Sequence, residues 1–402
     1  LFVAQASTVI QFNSGTFLYT PQTRLTGAGL YQLTGGTLQS LADYLPNLQL
    51  LGGNVSLSPT YQTNGLIVRL DLNGSTLTGS NRVSGVMNLI SGYVGGPMSL
   101  SSNAVLNWSS GRFAQGSSLL VESNGLANLM TAGGKDLGGP LVNAGQVEWT
   151  GGNLTLWNDA ATWQGSIANS GVWETQGDLW MGQYWVNNYS SFQNSGTLRK
   201  PSGTGTATLD VVFYNQGVIE QLSGVWTFGR NFSLTEGTVL FGLAGDSTFG
   251  RVNLAGTASL AGRLAARLLN GYVPATNRTF QVMSYGVVAG SFTDYSGLDV
   301  GSGRAFAPVY TATSLTLQTY ATNSSTPSTP IVLSNPRGEL TGFSFLFTGN
   351  IGSNYTVQFC TNLALPSWNA LLVTNIPVSP ATVTDTNPPL RSRFYRVRQG
   401  TL

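Results

Sequence analysis

One phrase recurs along the chain, and a repeated phrase constrains a fold more tightly than any other sequence signal. It reads "PLVNAGQVEWT" at 140–150, "GSIANSGVWET" at 165–175, "SSFQNSGTLRK" at 190–200 and "VVFYNQGVIEQ" at 211–221. Aligned on Gly145, Gly171, Gly196 and Gly217, the copies are 26, 25 and 21 residues apart. Upstream, Gly65, Gly85, Gly125 and Gly145 follow at 20, 40 and 20, with "SSNAVL" (101–106) in the place of the absent copy. Two residues before each glycine of the four clear copies stands an asparagine: Asn143, Asn169, Asn194 and Asn215. Apolar residues flank this pair, Leu141, Ile167, Phe192 and Phe213 before it and Val147, Trp173, Leu198 and Ile219 after it. A second glycine follows at Gly152, Gly177, Gly203 and Gly224.

Apolar residues spaced by two on either side of a turn signal strands, not helices. Asn and Gly tolerate positive φ, so both suit a sharp corner between strands. A unit of about 20 residues cannot bury its apolar face alone, but stacked copies can. Residues from about 9 to 255 therefore read as a parallel β-helix of eleven to twelve coils, each strand pairing with its equivalent about 4.8 Å along the axis. In such a stack the corner asparagines form an amide ladder. The competing reading is a β-sandwich with repetitive turns, which does not require the glycine register.

Beyond about residue 255 the phrase disappears. In its place Gly262, Leu264, Gly271, Tyr272, Pro274, Thr279, Phe280, Val282, Gly290 and Phe292 spell G-x-L … G-Y-x-P … T-F-x-V … G-x-F. This resembles the segment that closes the β-helix in bacterial autotransporter-like surface proteins. The resemblance covers about 60 residues and implies a solenoid-closing segment at 256–320. "ATNSSTPSTP" (321–330) has nothing to bury and reads as a linker. Residues 331–402 look like the small immunoglobulin- or fibronectin-like β-sandwich of secreted bacterial proteins, with Trp368 in its core and Cys360 buried in a strand. The fold class is thus all-β: solenoid, β-rich closing segment, small sandwich.

Composition narrows the chemistry. Only 8% of the 402 residues are charged, net charge is +2, and lysine occurs twice, at Lys135 and Lys200. With no basic run interleaved with aromatics, nucleic acid is not an expected partner. No apolar run approaches the ~18 residues of a membrane span. The absence of histidine removes the commonest general base and most zinc sites, so no cofactor or metal is expected. A single cysteine cannot form an internal disulfide. Low charge, abundant Asn and Gly, and a start at Leu1 beside an "AQA" resembling a signal-peptide tail suggest an exported, extracellular bacterial protein.

Three surface features carry the functional expectations. Glu148, Glu174, Arg199 and Glu220 fall in one outward column, and Glu148 and Glu174, about 5 Å apart, approach the spacing of a retaining glycosidase pair or of a calcium site. The alternative is a solvated face on which Arg199 offsets its neighbours. Second, the coils beginning at Gly145 and Gly171 carry inserted residues and six of the nine tryptophans. Insertions in a solenoid map to loops, often on the binding face. Trp173 and Trp163 read as inward, and Trp157, Trp180, Tyr184 and Trp185 as an exposed aromatic ridge for a sugar or a protein. A fatter cross-section filled with indoles is the alternative. Third, "LFVAQASTVIQF" (1–12) is a strand that either caps its own solenoid or is donated to a neighbour, giving head-to-tail filaments. The expected function is a non-catalytic structural or adhesive surface protein, self-associating or contacting surface glycan or protein, with a polysaccharide-binding or -cleaving β-helix as the rival.

Overall fold

The computed structural model describes residues 1–322, 330–339, 342–363, 367–387 and 392–400. They divide into two compact units, 1–321 and 322–402. The first is a parallel β-solenoid of about 13 turns, which at one strand spacing per coil is about 60 Å long.

Each central coil has three short strands. Pro140–Asn143, Gln146–Trp149 and Leu154–Leu156 pair in parallel with Ser166–Asn169, Val172–Thr175 and Trp180–Gln183 of the next coil. The apolar positions predicted to point inward do so. Leu141, Ile167, Phe192 and Phe213 form one buried column, and Val147, Trp173, Leu198 and Ile219 another. Each side chain rests on its equivalent one coil away, so one core runs through the whole unit. The coil lacking the phrase is no gap. Val105–Trp108 pairs in full register with Leu126–Leu129, and buried Ala104 occupies the corner-glycine position.

Parallel pairing continues past residue 255. Arg251–Leu260, Arg263–Leu268 and Thr279–Gly290 still stack on preceding coils, and Asp294–Ser296 is the last parallel addition. The phrase ends there but the coil does not, which accounts for the extra turn. Antiparallel pairing then takes over: Ser314–Ala321 lies against both Thr279–Gly290 and Arg304–Tyr310. Phe280, Phe306, Leu315 and Leu317 join the solenoid core, closing its apolar end. Gly262, Gly271 and Gly290, the glycines of the closing pattern, all adopt positive φ. At the other end, Phe2–Val3 and Val9–Phe12 pair in parallel with Leu25–Thr26 and Leu30–Leu33. Residues 1–12 thus pair within the first coils of their own solenoid, in the arrangement expected of a self-cap.

Within the second unit, two three-stranded antiparallel sheets share a core of Phe345, Phe347, Tyr355, Val357 and Val383. Cys360 is buried at the end of Asn354–Cys360. Trp368 is not core. It is half-buried just before Asn369–Asn375, with the Arg396 guanidinium 4.2 Å from its ring. Of the stretch read as a linker, residues 323–329 lie outside the described residues.

Candidate functional site

The corner asparagines form a continuous ladder inside the rod. Asn143 Nδ2 donates to Asn169 Oδ1 (2.7 Å), Asn169 to Asn194 (2.7 Å) and Asn194 to Asn215 (2.6 Å). Each amide also reaches a backbone carbonyl, Val172, Thr197 and Val218 for the first three and Gly217 for Asn215. Val121 and Leu234 occupy the same inward position on the coils before and after, so the ladder has four rungs.

The corner geometry departs from expectation. Neither these asparagines nor Gly145, Gly171, Gly196 and Gly217 have positive φ. The glycines are needed because consecutive coils approach too closely for a side chain. A Cβ on Gly196 would lie 2.2 Å from Gly171 O. The left-handed residues are the second glycines, Gly152, Gly177, Gly203 and Gly224.

At that second corner, backbone carbonyls face inward and long buried donors satisfy them. Trp149 Nε1 donates to Gly152 O, Lys200 Nζ to Gly177 O, and Gln221 Nε2 to Gly224 O. Lys135 Nζ donates to Gly133 O (2.8 Å) and Gly151 O (3.0 Å). Both lysines of the chain are fully buried. Burial pushes the Lys135 ammonium down to about 8 and lowers that of Lys200.

The acidic residues form the expected column, with Glu148 opposite Glu174, Glu174 opposite Arg199, and Arg199 opposite Glu220. Every member has a partner. Gln146 donates to Glu148 and Gln176 to Glu174, while Arg199 reaches Glu220 (2.6 Å) and Glu174 (3.7 Å). Upstream the same column is a second, partly exposed ladder, Asp71–Asn88–Asn107–Asn128. Sequence reading missed it, although "MNLI", "LNWS" and "ANLM" carry its period. Among the described residues no three His, Cys, Asp or Glu side chains cluster to hold a metal. No helix among them is long and apolar enough to cross a membrane.

The inserted aromatics do not form a flat ridge. Residues 157–165 make a small hairpin, with Asn158 bridged to Gln164. Its turn is held by Asp159, whose carboxylate accepts from the Trp163, Thr162 and Ala161 backbone N–H groups and the Thr162 hydroxyl. Those donors, Trp163 first, hold the Asp159 carboxyl well below the usual carboxylate range. The hairpin is tied to the next insertion by Asn187 Nδ2 to Asn158 O (2.8 Å) and Asn158 Nδ2 to Tyr189 O (3.2 Å).

Trp157 is the centre of the knob. Tyr184 stacks on it at 3.5 Å and the Arg112 guanidinium lies 4.2 Å from its ring. Two groups that close to one ring cannot share a face, so Trp157 is sandwiched. Trp163 and Trp185 pack beside it at 5.2 and 5.5 Å. Trp163 is thus half-buried in the knob and not in the core, because it belongs to the inserted hairpin and escapes the coil register. Trp180 stays apart, its indole folded over Gly182 on its own strand. Of the four expected ridge residues only Tyr184 is exposed (53%), and its fellows at the tip are Val186 (73%) and Tyr189 (55%). Arg112, 45 residues before Trp157 in sequence, had no local signal. No family model matches the chain, and no curated protein matches it.

Proposed function

We propose that the chain is a non-catalytic extracellular protein of a bacterial surface, structural or adhesive in role, that makes contact through the 184–189 loop. The observation that carries this reading is the loop itself. Trp157, Trp163 and Trp185 anchor it, and Tyr184, Val186 and Tyr189 project from it. A rigid anchor beneath exposed aromatics keeps the entropy of binding low. The solenoid supplies rigid length, and the closing pattern at 262–292 resembles that of autotransporter-like surface proteins. The partner on this reading is surface glycan or protein, or another copy of the chain. The partnered state of Glu148 and Glu174 speaks for a charge-balanced face over a catalytic pair.

The test is retention of protein-coated beads on fixed bacterial cells, with release of new reducing sugar ends followed in parallel. Retention without release is expected, and Tyr184→Ala with Tyr189→Ala should abolish it. Release of reducing ends that Glu174→Gln eliminates would replace this reading with polysaccharide cleavage.

A further inference from the structure

A groove of about 520 Å³ runs along the rod beside the asparagine corner. One wall is the outward column Val142, Ala168, Gln193, Tyr214 and Ser233, register neighbours on five successive coils, or about 19 Å of axis. The other wall is built from corner residues such as Ser170, Ser195 and Gln216, with the amide ladder beneath.

No Asp, Glu, Lys or Arg lines this groove. Its lining is amides, hydroxyls, the aliphatic Val142 and Ala168, and one exposed aromatic ring, Tyr214 (47%). The polar ends of Gln193, Tyr214 and Gln216 have no hydrogen-bond partner among the described residues. The Ser170 and Ser195 hydroxyls donate to Asn143 O (3.1 Å) and Asn169 O (3.3 Å), leaving their oxygens free to accept.

These features discriminate among ligands. An anionic polymer would find no cation here. An added peptide strand would find no free edge, because the backbone of these strands is already paired along the axis. A hydroxyl-rich, uncharged chain matches both the partnerless amides and the length of the groove. We infer that this groove binds a neutral polysaccharide laid along the rod axis. Tyr214 stacks on a sugar ring, and Gln193 and Gln216 hydrogen-bond its hydroxyls. The site is separate from the 184–189 loop and does not depend on that loop's role.

The full chain is run in native gels containing hydroxyethyl cellulose, xyloglucan, glucomannan or dextran, with polygalacturonate as the acidic control. At least one neutral polymer should retard it and polygalacturonate should not. Calorimetry with the retarding polymer should give the same affinity at low and high salt, since no ion pair is involved. Tyr214→Ala, shown by circular dichroism to keep the fold, should weaken binding about tenfold. Tyr184→Ala should leave it unchanged. Failure of every neutral polymer to retard the chain, or wild-type retardation of Tyr214→Ala, would overturn the assignment. Loss of retardation in Tyr184→Ala would transfer the binding to the loop.

Discussion

Gly171 lies so close to Gly145 on the preceding coil that a Cβ on it would sit 2.1 Å from the Gly145 carbonyl oxygen. Val172 N–H donates to that same oxygen at 2.9 Å. The contact repeats at Gly196 over Gly171 and Gly217 over Gly196, so in these coils the close approach leaves no room for a side chain, whereas Ala104 is accommodated at the same corner on an earlier coil.

Gly171→Ala should therefore destabilise the solenoid by about 1–3 kcal/mol through overpacking. Gly134→Ala is the comparison, since a Cβ there meets nothing within 4 Å and φ is not positive. That change should be neutral or slightly stabilising through the unfolded chain. Urea unfolding of the two variants checks this, and equal losses would refute the close-approach account.

The amide ladder makes a second prediction. Removing the Asn194 amide leaves Asn215 Oδ1, Val218 O and the Asn169 amide short of a partner inside the rod. Asn194→Ala should cost about 1–3 kcal/mol. Asn153→Ala, at an exposed position whose side chain has no partner among the described residues, should cost little. Thermal melts showing the same shift for both would leave the ladder without an energetic role.

These two corners also show what was legible in the sequence. The period, the inward columns and the ladder all follow from one register, so a single alignment predicts them together. What the register could not reveal is the reason for the glycine, because close approach between coils is a tertiary distance and positive φ is a local one. Trp163 and Trp368 were misplaced for a related reason. Both sit outside regular strands, where alternation no longer assigns a side. The groove was not read although most of its residues stand in the repeated phrase, since its wall is built from residues 19 to 26 apart that meet only after stacking.

Buried Lys135 predicts a pH dependence. Its folded value is about 8, below the ordinary lysine value of 10.5. Between those values the unfolded chain binds more protons than the folded one, so this group makes stability rise with pH. Below pH 8 both states are protonated and its contribution is constant. Lys135→Met removes the titration, so the stability of the wild type relative to this variant should climb between pH 8 and 10.5. Tyrosines titrating near the upper end cancel in that difference. Parallel curves for the two proteins would mean that Lys135 titrates normally.

The aromatic knob yields the last prediction. Trp157 carries Tyr184 on one face and the Arg112 guanidinium on the other, and Trp185 meets its edge. Arg112 is itself held by Asp136 at 2.8 Å, on the neighbouring coil. The 184–189 loop is thus fixed to the rod through one indole. Trp157→Ala should release the loop while sparing the core, because Trp157 lies outside the buried columns that hold the coils together. The expected result is rapid proteolytic cleavage within 184–189, with a far-ultraviolet spectrum and a main unfolding transition close to those of the wild type. Arg112→Ala should give a smaller increase, since it uncovers one face of the indole and leaves the Tyr184 stack in place. Cleavage rates unchanged in Trp157→Ala would show that Asn158 and Asn187, which tie the two insertions through the backbone, suffice to hold the loop. Collapse of the whole transition would instead place Trp157 in the solenoid's cooperative core.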